Sequence, residues 1–189
     1  MGRVMFIGFT TLDGVVQDPD GKDGSERGGW AFRYGPEAIA GDKFELGAIM
    51  ETGTLLLGRV TWEKFSQLWP TRDDEFSTRM NRMSKLVASR TLESVDAWEN
   101  SDLLGGDLVE EVSRRKADQD IVVTGSGSVV RLLQDHDLID EYRLLVFPTV
   151  VGEGRRLFEH PSQSVNLHPE KAEPVGAALR LVYTCNTHS

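Results

Sequence analysis

Three short stretches of this chain carry groups that could grip a phosphate. Gly125-Ser126-Gly127-Ser128-Val129 follows the apolar run Ile121-Val122-Val123-Thr124 and opens a helical pattern that runs to about Gln134. Glycines let a backbone approach a pyrophosphate closely, and the N–H groups at the start of a helix favour negative charge. The same residues also read as a tight strand-to-helix turn with Ser128 as the cap. They are not a P-loop, because no Gly-Lys-Ser/Thr follows, and Val130 stands where the third glycine of the dinucleotide fingerprint belongs. A standard Rossmann dehydrogenase is therefore disfavoured. Gly58-Arg59-Val60-Thr61 places a guanidinium and a hydroxyl directly after Leu55-Leu56-Leu57, and Ser89-Arg90-Thr91 does the same after Lys85-Leu86-Val87-Ala88. Arginine holds a phosphate bidentately. One arginine alone is usually a solvated surface residue, but two of them directly after buried-strand signals, in an acidic chain, point to a 2′-phosphate clamp.

The elements that must position these stretches follow from the apolar periodicity. Short Val, Leu and Ile runs of strand length at 4–10, 54–57, 85–88 and 121–124 alternate with helical patterns at 36–52, from Thr61, at 107–116 and from Gly127. That alternation predicts an α/β domain with a largely parallel sheet. In open sheets of this kind ligands collect at the carboxyl ends of the strands, where Gly58, Ser89 and Gly125 fall. Residues 18–29 (DPDGKDGSERGG) have no apolar period and read as a polar surface loop. Tyr142–Val151, followed by the turn signal Gly152-Glu153-Gly154 into Arg155-Arg156-Leu157-Phe158, and Leu179–Cys185 predict late strands that close one edge of the sheet antiparallel.

Composition narrows the function classes. A chain of 189 residues, 39% hydrophobic and 27% charged, suits one globular domain spanning 1–189. A net charge of -9 excludes long-range attraction to nucleic acid or anionic membrane, so an anionic ligand must be held by local donors. The single cysteine, Cys185, allows no internal disulfide, and His136, His160, His168 and His188 lack zinc-site spacing. No metal is expected. The opening MGRVMFIGFTTLDG has an apolar run too short for a signal or a membrane span, so a cytoplasmic location is expected.

The order and spacing of Leu55-Leu56-Leu57-Gly58-Arg59-Val60-Thr61-Trp62-Glu63, Lys85-Leu86-Val87-Ala88-Ser89-Arg90-Thr91-Leu92 and Ile121-Val122-Val123-Thr124-Gly125-Ser126-Gly127 resemble the cofactor-binding segments of the dihydrofolate-reductase-like superfamily. Thr11-Leu12-Asp13-Gly14, the run from Leu138 to Leu144, and the run from Pro148 to Phe158 are similar to one branch of it. That branch is typified by the C-terminal reductase domain of bifunctional riboflavin-biosynthesis deaminase/reductases. The resemblance covers roughly residues 3 to 185. It implies a three-layer α/β/α dihydrofolate-reductase-like fold, NADPH as cofactor, a small-molecule substrate and a homodimer.

By the same resemblance, Arg59 and Thr61 lie near the adenosine 2′-phosphate and pyrophosphate, and Ser89, Arg90 and Thr91 hold the adenosine end. Gly125, Ser126, Gly127, Ser128 and Val129 cradle the pyrophosphate, and Gly58 is a further cofactor contact. Gly8, Phe9, Val15 and Val16 border the nicotinamide. Asp13 is a substrate contact or simply half of a turn pair, and Trp30 either stacks on a heterocycle or packs under the polar loop. Trp62 and Trp69 read as core. The resemblance puts a proton-donating carboxylate on the first helix, where Asp42 or Glu45 falls; a carboxylate on such a helix is otherwise a solvated face. The expected activity is reduction of a small heterocycle, a phosphoribosylaminopyrimidine or a dihydropterin. The zinc deaminase motifs of the bifunctional enzymes are absent from this sequence, which leaves the substrate open. A non-catalytic NADP-binding or sensor protein on the same fold is the alternative, and a flavin-binding protein lacks any distinctive motif.

Overall fold

A computed structural model describes residues 1–159 and 164–185; the histidines at 160 and 188, weighed above for zinc spacing, lie outside the described residues. The chain gathers into two compact units: Met1–Phe6 with Leu46–Asp140, and Ile7–Glu45 with the described residues from Glu141 onward. Strand β1 (Val4–Thr11) gives its opening residues to the first unit and its remainder to the second.

In the first unit, helix α1 (Ile49–Thr52) leads into β2 (Thr54–Gly58), whose five residues are all buried. A strand covered on both faces explains the unbroken leucines, since a parallel strand between layers has no solvent side. Helix α2 (Arg59–Leu68) and helix α3 (Glu75–Arg82) precede β3 (Ser84–Ala88), which pairs in parallel with β2, Leu55 opposite Lys85 and Gly58 opposite Ala88. Next come β4 (Ser101–Leu103), helix α4 (Leu108–Lys116), β5 (Ile121–Thr124) and helix α5 (Gly127–Asp135). Strand β4 is likewise parallel to β3 and β5 to β2, and the order is β4-β3-β2-β5 before β1. After β3 the expected helix is missing: β3 passes to β4 through residues 89–100 with no helix.

The second unit continues from β1 to β6 (Glu141–Phe147), β8 (Ala178–Cys185) and β7 (Leu167–Val175), in that order, and β6-β8-β7 is antiparallel. The architecture is thus α/β, parallel for most of its strands with an antiparallel edge. Strand β7 has no period-2 pattern, and it carries Pro169 and Pro174. Prolines are tolerated because β7 is an edge strand, with a register shift between Pro169 and Lys171. Strand β6 ends before Pro148, four residues short of the expected Val151. The core here joins Val15, Trp30, Ala31, Ala38, Leu145, Phe147, Val151 and Ala178, with Phe9 and Phe44 packed against it. Among the described residues no helix is long and apolar enough to cross a membrane.

The helix expected over 36–52 is not formed. A 3₁₀ turn at Pro36–Ala38 and the short α1 are its only helical parts. Between them Gly41, Glu45 and Gly47 have φ of 76°, 53° and 52°, a left-handed conformation that no helix continues through. The cause lies in distant side chains. Arg143 donates to the carbonyls of Phe44 and Glu45, and Arg180 to that of Lys43, so these acceptors are taken from any helical ladder.

Candidate functional site

The glycine-bearing and arginine-bearing turns after β5 and β2 are brought together at one junction. The Ser126 N–H donates to Thr61 Oγ1 at 3.0 Å, the Ser126 hydroxyl lies 3.1 Å from the same oxygen, and the Gly58 N–H donates to Ser126 Oγ at 2.7 Å. Gly125 stands so close to Thr61 that a Cβ on it would lie 2.7 Å from Thr61 Oγ1, and its φ of +57° already disfavours any other residue. Glycine is required there by both space and dihedral. Ser126 shares the left-handed region, with φ 49° and ψ 54°.

Two helix starts at the junction have no side-chain cap. Gly58 before α2 has no side chain to cap with, and the Ser126 hydroxyl before α5 is engaged across the junction instead. Ser128, the alternative cap, lies inside α5 and not ahead of it. Backbone N–H groups of the first helical turn have no intrahelical partner, so the junction offers two sets of donors and two positive helix-dipole ends to an anion. The Arg59 guanidinium, at the first position of α2, donates to both oxygens of Glu63 at 3.1 and 2.9 Å; the pair is exposed, with side-chain accessibilities of 45% and 39%. Glu63 was not among the residues expected at the site, although the i,i+4 spacing from Arg59 signals such a pair. An exposed pair of this kind holds its arginine by well under about 1 kcal/mol, so a phosphate can displace it.

Ser89 ends β3 in a local turn, its hydroxyl accepting from the N–H groups of Thr91 and Leu92 at 3.1 and 3.0 Å. Arg90 and Thr91 are exposed. All the residues assigned to the cofactor's phosphates and adenosine therefore belong to the first unit.

The residues expected beside the nicotinamide and substrate belong to the second unit. Phe9 stacks on Phe44 with ring centroids 5.7 Å apart and meets Phe147 edge-on. Gly8 and Val16 are half-buried, and Val15 is 1% exposed within the core. Trp30 is likewise 1% exposed; its indole N–H donates to the Gln17 carbonyl and its ring meets Phe147, so it packs beneath the polar loop. That loop is wound on Asp18, a buried carboxylate that accepts from the N–H groups of Asp23 and Ser25 and from the Ser25 hydroxyl. Asp13 accepts from the Thr11 hydroxyl at 2.6 Å and from the N–H groups of Val151 and Gly152 at 3.2 and 2.8 Å. These donors, the hydroxyl above all, hold its carboxyl down at about 2. Asp13 thus fastens the segment after β6 to the loop after β1, a role its turn-forming neighbours did not signal.

Asp42 and Glu45 sit in the non-helical segment and close a turn, Glu45 N–H to the Asp42 carbonyl. Glu45 is paired with Lys171 and Arg180 at 2.9 and 2.6 Å, which lowers its carboxyl below the usual range. Asp42 is half-buried.

The sequence matches the family model described as RibD C-terminal domain over residues 3–181. Over 121 residues it is 31% identical to the uncharacterized protein YyaP of Bacillus subtilis (strain 168), a stretch that makes up 60% of this chain and 63% of that relative. Among solved structures, a candidate riboflavin biosynthesis protein from Shewanella sp. PV-4 is similar at a TM-score of 0.73 and 25% identity, over 99% of this chain and 100% of that one. Dihydrofolate reductase from Enterococcus faecalis, complexed with NADP(H), shares the fold at a TM-score of 0.53 and 15% identity, with 98% of each chain covered.

Proposed function

The chain belongs to the RibD C-terminal domain family, and on that premise we propose that it is an NADPH-dependent reductase of a small heterocyclic substrate. The reduction would be similar to that of 5-amino-6-(5-phosphoribosylamino)uracil or of dihydrofolate. The observation that carries this reading is the junction at Thr61 and Ser126. Two uncapped helix starts and the Arg59 guanidinium meet where Gly125 leaves no room for a side chain, which suits a pyrophosphate flanked by a further phosphate. NADPH, when bound, supplies the hydride.

The protein's share is binding and orientation. Gly58, Gly125, Ser126, Gly127, Ser128 and Val129 form the pyrophosphate cradle, Arg59 and Thr61 serve its phosphates, and Ser89, Arg90 and Thr91 receive the adenosine end. On the second unit Gly8, Phe9, Val15 and Val16 are assigned to the nicotinamide, and Asp42 to the delivery of a proton to the substrate. Trp30 is assigned to packing and Asp13 to holding the substrate-side loop. A fluorescence titration tests the reading: NADPH binds at least ~10-fold more tightly than NADH, a difference of about 1.4 kcal/mol, and Arg59→Ala abolishes that preference while leaving NADH unchanged. Equal affinity for the two nucleotides in the unaltered protein would refute it.

We also assign the chain as a homodimer through its late strands. Val146 of β6 lies opposite Leu179 of β8, and Leu181 and Tyr183 follow on the same side, an uncharged and partly accessible face with Leu179 at 49% exposure; Tyr142 and Leu144 beside them are already buried. In a chain of net charge -9 such a face is where two copies meet with least repulsion. Light scattering at twice the chain mass, reduced to one chain mass by Leu179→Glu, is the expected result.

A further inference from the structure

The passage from β3 to β4 is a parallel crossover made without a helix, and Lys85 stands at its foot. Lys85 is 1% exposed. Its ammonium donates to three backbone carbonyls, those of Asn81 and Met83 at 2.7 Å each and that of Glu99 at 3.0 Å, and lies 4.3 Å from the centre of the Trp98 ring. An ammonium has three donors and no acceptor, so the three carbonyls saturate it, and the indole face adds a cation–π contact. Burial pushes its pKa down to about 8, against the opposing charge of Glu99, so it remains protonated at neutral pH.

Two of these carbonyls belong to the end of α3, while Glu99 and Trp98 belong to the end of the crossover. Further bonds run the same way. The Trp98 indole N–H donates to Asn81 Oδ1 at 2.7 Å, and Asn100 Nδ2 reaches the carbonyls of Asn81 and Arg82 at 3.4 and 3.3 Å. A connection through 89–100 has no helical ladder to fix its course; Val95, at 8% exposure, and Trp98, at 1%, are its buried hydrophobic anchors. Its other end is the Ser89-Arg90-Thr91 turn.

We infer that Lys85 is a positioning residue: by holding Glu99 and Trp98 onto the end of α3 it sets the course of 89–100, and so presents Ser89, Arg90 and Thr91 to the adenosine end of the cofactor. This rests on the NADPH reading above. A neutral side chain of similar length cannot replace it, because the carbonyls of Met83 and Glu99 would lose this donor and that of Asn81 would keep only the longer bond from Asn100. The clamp acts on one half of the dinucleotide and not on the other.

The test divides the cofactor accordingly. With the full chain carrying Lys85→Met, 2′,5′-ADP and reduced nicotinamide mononucleotide are titrated separately, and hydrogen exchange is followed at the Thr91 and Leu92 amides, which bond to Ser89 Oγ. The expected result is a ~10-fold loss for 2′,5′-ADP, unchanged binding of the mononucleotide, and faster exchange at those two amides. Equal losses for both halves, or unaltered exchange, would overturn the inference. Should Lys85→Met fail to fold, Trp98→Phe keeps Lys85 and its carbonyls; a ~3-fold loss confined to 2′,5′-ADP supports the clamp, and no loss rejects it. If the unaltered protein binds no 2′,5′-ADP, the cofactor reading falls, while the exchange rates in Lys85→Met still decide whether Lys85 holds the turn.

Discussion

Helices α3 and α4 begin differently from α2 and α5. Asp74 and Asp107 cap the first pair, each accepting from the backbone N–H three residues on, Ser77 and Glu110, at 3.0 Å. Gly58 and Ser126 leave the second pair without a side-chain cap. Such a cap is worth about 1 kcal/mol over a non-capping residue but only a few tenths over glycine, so the uncapped pair forgoes about 1 kcal/mol, nearly all of it at α5. Ser126 shows that composition is not the reason: serine is a good cap, but its hydroxyl bonds to Gly58 and Thr61 across the junction. Capped starts serve stability, and under the proposed function the uncapped starts keep their donors for a ligand.

Gly125→Val tests this contrast most severely. The added Cβ falls 2.7 Å from Thr61 Oγ1 in a left-handed conformation. The left-handed backbone alone costs a β-branched residue about 1–2 kcal/mol, and overpacking adds to that. NADPH affinity should fall more than ~100-fold, or about 2.8 kcal/mol, with a lower urea midpoint; retained binding would separate the junction from the phosphates. Asp107→Ala is the converse. Stability in urea should drop by about 1 kcal/mol while the NADPH dissociation constant stays the same, and a changed constant would erase the division between the two kinds of helix start.

The smallest effect is one of pH. The Ser77 hydroxyl, followed by the Ser77 N–H, holds the Asp74 carboxyl below its ordinary value. A carboxylate whose folded pKa is depressed contributes stability above its unfolded pKa, about 3.9, and loses that contribution as pH falls through the lower folded value. Exchange at the Ser77 amide should therefore accelerate on acidification below about pH 4, with no matching step at the first turn of α5, whose N-cap has no carboxylate to protonate. A matching step there would break the comparison.

Much of this was legible in the residues themselves. The leucine run at 55–57 and the valine run at 121–123 read as buried strands because a parallel strand has no polar side. The Asp107 cap is likewise written locally, with acids in the first turn of α4 and bases in its last. The reading failed where distant groups override local pattern. The segment 36–52 has helical spacing, yet Arg143 and Arg180 claim its carbonyls from β6 and β8. Strand β7 has little pattern of its own and exists because β8 offers it an edge.

Local residue order sets the alternation of strands and helices and which turns carry glycine, serine and arginine, because these depend on neighbours a few residues apart. Long-range packing is what makes Ser126 tie Thr61 to Gly58 instead of capping its own helix, Asp13 fasten Gly152, and Lys85 gather the carbonyls of Asn81, Met83 and Glu99. A hydroxyl, a carboxylate or an ammonium has several possible partners within reach of its chemistry, and folding selects among them.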